Sequence, residues 1–71
     1  MSKETEFAVF CTESYKAQKR MNGAEVAKLF AKYDVYSYLC EFYDVLHTTG
    51  DQYINRDIDA YLQARGAAVT I

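Results

Sequence analysis

Proline and tryptophan are absent from this chain of 71 residues, and glycine occurs only three times. Without proline, no helix meets a covalent break and no proline-rich linker divides the chain. Gly23, Gly50 and Gly66 are isolated, which excludes a glycine-rich phosphate-binding loop. Histidine occurs once and cysteine twice. Three such residues fall short of a closed four-ligand zinc site, so no metal and no other cofactor is expected. Cys11 and Cys40 both fall on apolar helical stripes and are expected as small core residues with free thiols; their spacing makes no disulfide framework. The amino-terminal MSKETE is charged and contains no apolar run, and no stretch approaches the length of a membrane span. The expectation is a reducing, cytoplasmic setting without a membrane partner.

What is present is apolar and aromatic. Hydrophobic residues make up 51% of the chain, enough for a core, and seven tyrosines and four phenylalanines are many for this length. Tyrosine buries its ring and keeps its hydroxyl wet, which suits half-buried seams and interfaces. The length gives one domain, read as residues 1–66 followed by a flexible tail at 67–71. Charge is unevenly spread. Residues 1–32 carry Lys3, Lys16, Lys19, Arg20, Lys28 and Lys32 against Glu4, Glu6, Glu13 and Glu25; residues 33–71 carry only Arg56 and Arg65 against Asp34, Glu41, Asp44, Asp51, Asp57 and Asp59. Either both halves present ordinary solvated faces, or opposite patches associate head to tail or with a partner in a salt-sensitive way.

Four helices are predicted, arranged as an all-α compact bundle with the third helix central. The first starts at Ser2, an N-cap followed by acidic residues in the favourable first turn. Phe7, Phe10, Cys11, Ser14 and Gln18 line one side at helical spacing, flanked by Tyr15. Asn22 and Glu25 have the spacing of a capping box for the second helix, whose stripe is Val26, Leu29, Phe30 and Tyr33. Asp34 is expected to end it and cap the third, Val35 to Gly50. There, Ser37, Glu41, Asp44 and Thr48 form one narrow polar stripe, and almost every other position is apolar. A helix apolar over most of its circumference is normally buried on all sides; alternatively, its second apolar face is covered by another chain. Gly50 reads as a left-handed stop. Tyr53-Ile54 reads as a short extended bridge or a first helical turn. Asn55, in preference to Asp51, is expected to cap the last helix, which carries Ile58, Tyr61 and Leu62 and ends at Arg65-Gly66.

Few constellations could carry chemistry. Asp44 and His47 stand i,i+3 near a helix end, where a carboxylate and the helix terminus could both raise the imidazole pKa. The plainer reading is a surface histidine capping carbonyls with its ring on a tyrosine, favoured because no nucleophile lies nearby in sequence. Asp57 and Asp59 point to different faces and make no glycosidase pair. Neither cysteine has an activating context. Ala24 to Phe42 invites comparison with a helix-turn-helix, but the would-be recognition helix carries Glu41 and Asp44 and no basic residue, the wrong sign for phosphates. Nucleic acid could still be met through Lys16, Lys19, Arg20, Lys28 and Lys32.

The segments Tyr43-Asp44, Leu46-His47-Thr48 and Gly50, then Tyr53-Ile54, Asp57-Ile58-Asp59 and Tyr61-Leu62, together with Glu6-Phe7, Phe10-Cys11, Glu25-Val26 and Leu29-Phe30, carry a likeness. Over residues 6–65 the chain resembles a family of short bacterial proteins catalogued as a domain of unknown function, number three-seven-nine-one. YD-x-LHT-x-G is the most specific part. The resemblance brings no activity. It implies a small cytoplasmic protein whose gene often neighbours one for an ADP-ribosyltransferase-like protein, and hence an accessory or antitoxin-like partner. The function expected is non-catalytic binding of another protein, with self-association possible in addition. Tyr36, Tyr43, Asp44, His47 and Tyr53 are the candidate interface residues. Nucleic-acid binding is the alternative.

Overall fold

A computed structural model describes residues 2–67, so the tail expected at 67–71 lies outside them except for Ala67, which is buried. Among the described residues the order is α1 (Lys3–Lys19), α2 (Gly23–Lys32), α3 (Val35–Glu41), α4 (Tyr43–Leu46) and α5 (Asp51–Ala64). The chain is an all-helical bundle, and α4 is a single turn continuing the third helix.

The first two helix starts follow local chemistry. The Ser2 hydroxyl accepts from the Thr5 amide at 3.1 Å. Asn22 and Glu25 close the expected capping box: the Asn22 side chain accepts from the Glu25 amide at 2.8 Å and Glu25 accepts from the Asn22 amide at 3.1 Å. Such reciprocal pairing satisfies two otherwise orphaned donors. α1 ends with Arg20 in the left-handed region, φ 56. Asp34, at φ 55, turns the chain between α2 and α3. Contrary to expectation its side chain does not cap α3; its carboxylate accepts from the Ser37 hydroxyl at 2.8 Å.

The core is made by α1, α2, α3 and α5. Cys11, Val26, Phe30, Val35, Leu39, Ile58 and Leu62 are fully enclosed, and Tyr15 nearly so. α1 packs against α2, α3 and α5, while α3 packs against α1, α2 and α4. The third helix is thus interior on the face of Val35 and Leu39, and shares the centre with α1. Aromatic edges knit the seams: Phe30 meets Tyr15 at 5.3 Å and Tyr36 at 5.6 Å between ring centroids.

Four local expectations are corrected. The hub is not one rod: Phe42, at φ −103 and ψ 21, interrupts it, and the Tyr43 ring then turns edge-on to Phe7 of α1. Cys40, expected in the core, is exposed, as is Phe10 at 54%. Gly50 is not a left-handed stop; it is extended, φ −74 and ψ 158, and serves as the N-cap residue of α5. α5 therefore begins at Asp51, so Tyr53-Ile54 is its first turn, and Asn55 is buried within the helix and caps nothing. At its end, Gly66 takes φ 88, and the Ala67 amide returns to the Leu62 carbonyl at 3.0 Å, burying Ala67.

Candidate functional site

The segment Tyr43 to Gly50 is a carbonyl-capping device. A four-residue helix has few backbone donors for its terminal carbonyls; here the His47 amide reaches the Tyr43 carbonyl at 2.9 Å and the Thr49 amide the Leu46 carbonyl at 3.0 Å. Three successive side chains add to them: His47 Nδ1–H donates to the Tyr43 carbonyl at 2.6 Å, Thr48 to Val45 at 2.9 Å and Thr49 to Leu46 at 2.7 Å. The His47 ring stacks on Tyr43, centroids 4.4 Å apart and planes within 7°. The imidazole is thus engaged with its own helix, and Asp44 stands exposed one turn away. The residues of YD-x-LHT-x-G shape a turn that delivers Gly50 to the start of α5.

The DID stretch does the corresponding work from α5. Asp57 and Asp59 do point to different neighbours. Asp57 accepts the Tyr38 hydroxyl of α3. Asp59, 3% exposed, accepts the Tyr15 hydroxyl at 2.7 Å and the Lys19 ammonium at 2.6 Å, both from α1. The Tyr61 hydroxyl donates to the Tyr33 carbonyl at 2.8 Å where α2 ends. Burial, then the hydrogen bond and charge of the neighbouring carboxylate, hold the Tyr15 and Tyr38 hydroxyls protonated well above the ordinary range. Burial likewise pushes the Cys11 thiol up to about 12, so it is no nucleophile at neutral pH. Asn55, 2% exposed, donates to Ser14 at 3.2 Å, while its Oδ1 is buried without a partner.

The interface candidates are dispersed. Tyr43 and His47 come together; Tyr36 is half-buried against Phe30; Tyr53 is 60% exposed on α5. Sequence reasoning missed Phe42 and Val45, 43% and 64% exposed, because it placed both on a buried rod. Among the basic residues, Lys16 pairs with Glu13 at 3.3 Å and Lys19 with Asp59, while Lys32 lies over the Tyr33 ring. Arg20 and Lys28 are exposed on α1 and α2.

Among the described residues, no group of three or more His, Cys, Asp or Glu side chains is placed to hold a metal ion, and no helix is long and apolar enough to cross a membrane. No curated protein and no solved structure matches the chain. Residues 6–65 match the family model described as "Protein of unknown function (DUF3791)". That match takes in every element from the first turn of α1 to the end of α5, and the chain belongs to this family.

Proposed function

We propose that this chain is a non-catalytic protein-binding module of the bacterial cytoplasm, regulating or neutralising a neighbouring protein in the manner of an antitoxin-like accessory. One observation carries the reading: Phe42 and Val45 stand 43% and 64% exposed where the third helix breaks. Neighbouring apolar side chains left in water beside a filled core support a surface that another chain covers when they form one patch. Both cysteines are free thiols, which goes with a reducing compartment. The ADP-ribosyltransferase-like neighbour implied by the family resemblance is the first partner to try, and a second copy of the chain is the competing one. The nucleic-acid alternative is weakened because Lys16 and Lys19 are held by carboxylates of their own chain.

The test is quantitative co-purification from the native cell of the tagged chain and of its Val45→Glu variant. A stoichiometric partner that the variant loses, with helical circular dichroism unchanged, supports the reading. A strictly monomeric chain without a partner, or a partner kept equally by the variant, refutes it.

A further inference from the structure

We propose that the groove between α3 and α5 receives an arginine-bearing segment of the partner protein. This rests on the protein-binding reading and gives that partner a chemistry. The groove is lined by the rings of Tyr38, Phe42 and Tyr61 and by the carboxylates of Asp34, Glu41 and Asp57. Its rings form a continuous ladder: Phe42 lies 5.1 Å from Tyr38, and Tyr38 lies 4.4 Å from Tyr61, centroid to centroid. Three carboxylates face a single cation, Arg65, which belongs to the chain itself.

Arg65 displays the aromatic half of this chemistry, and its Nη1 donates to the Tyr61 carbonyl at 3.3 Å, leaving the groove carboxylates to an incoming cation. Its guanidinium lies 3.6 Å over the Tyr61 ring. A planar, weakly hydrated cation stacks on an aromatic face and presents forked donors to carboxylates, whereas an ammonium makes only a point contact. The Phe42 ring is the corresponding half-exposed platform at the other end of the ladder. Beside it, Glu41 makes no hydrogen bond or ion pair among the described residues, so its carboxylate is available to an incoming guanidinium. Charge complementarity decides the occupant, since residues 33–71 carry six acidic against two basic side chains. A second copy fits less well. Its basic face lies on α1 and α2, where Lys16 and Lys19 are paired and Arg20 and Lys28 stand exposed, and groove-to-opposite-face contacts between copies do not close into a symmetric dimer.

The test titrates the full, isotope-labelled chain with three peptides of identical length, alternating glycine with arginine, lysine or glutamate, followed by NMR. The arginine peptide is expected to produce saturable shifts at Ser37, Tyr38, Phe42 and Tyr61 that weaken with added salt. The lysine peptide should bind several-fold less tightly and the glutamate peptide not at all. Phe42→Ala is expected to weaken binding by about threefold to tenfold, the range of one lost cation–π contact. Glu41→Gln, an exposed change that leaves the fold intact, should weaken it in the same direction. Absence of saturable shifts, equal response to the glutamate peptide, or shifts confined to α1 and α2 overturns the proposal. So do shifts of the groove residues that depend on protein concentration without peptide, which would assign the groove to a second copy. A native partner whose binding leaves these residues unshifted would preserve the protein-binding reading and remove this one.

Discussion

Asp59→Ala should come close to unfolding the protein. Asp59 is a buried carboxylate that ties α5 to α1 through Tyr15 at 2.7 Å and Lys19 at 2.6 Å. Removing it deletes a charge-assisted hydrogen bond from Tyr15, worth about 1.5–3 kcal/mol. It also strands the Tyr15 hydroxyl, on a residue 1% exposed, at a further cost of about 1–3 kcal/mol. The Lys19 ammonium contributes less, because its side chain is 17% exposed and can turn to water. The expected loss is about 3–5 kcal/mol, as for breaking other buried charged pairs from one side. A domain of 71 residues has about 4–11 kcal/mol in total, at roughly 0.05–0.15 kcal/mol per residue. Urea unfolding followed by far-ultraviolet circular dichroism measures the difference directly. Replacing both partners, as Tyr15→Phe with Asp59→Leu, should recover most of the loss, because no polar group is then stranded. A loss below about 1 kcal/mol for Asp59→Ala would refute the reasoning, as would a double variant no more stable than the single one.

Other outcomes follow from the same geometry. Cys11 has a folded value near 12 against an ordinary 9.0, and Tyr15 and Tyr38 are raised above 10.0. A raised acid contributes stability fully below its unfolded value and loses it as pH climbs towards the folded one. Thermal melts should therefore show stability declining from pH 9 upward, and more steeply above 10; a midpoint indifferent to that range would contradict this. Cys40 should react promptly with a thiol reagent in the native protein, and Cys11 only on unfolding, since one is exposed and the other enclosed. Arg20→Gly should stabilise by about 0.5–1 kcal/mol in the same urea assay, because φ 56 is strained for any residue with a Cβ.

What was legible in the sequence was local. Ser2 and the Asn22–Glu25 box lie three residues from the donors they satisfy, and Val26 and Phe30 show their burial by spacing alone. Asp57 and Asp59 were correctly separated to different faces, but their partners could not be named. Tyr15 is 44 residues from Asp59 and Tyr38 is 19 from Asp57, and only the packed bundle brings them together. The break at Phe42 carries no glycine or proline to announce it. Directly after it the Tyr43 ring meets Phe7 of α1 edge-on, a contact 36 residues away in sequence that local pattern does not show. Once the rod bends there, Cys40, Phe42 and Val45 lie in water while Leu46 stays inside. Gly50 misled for a related reason: His47, Thr48 and Thr49 already satisfy the preceding carbonyls, so no left-handed residue is needed.

Hydrogen–deuterium exchange of the chain alone and in its native complex tests the account most directly, because it locates the covered face without mutation. Protection gained around residues 37–46 and at 57–61 of α5, with the basic face of α1 and α2 unchanged, is the predicted footprint. Protection confined to Arg20, Lys28 and Lys32, or none at the bend around Phe42, would contradict it.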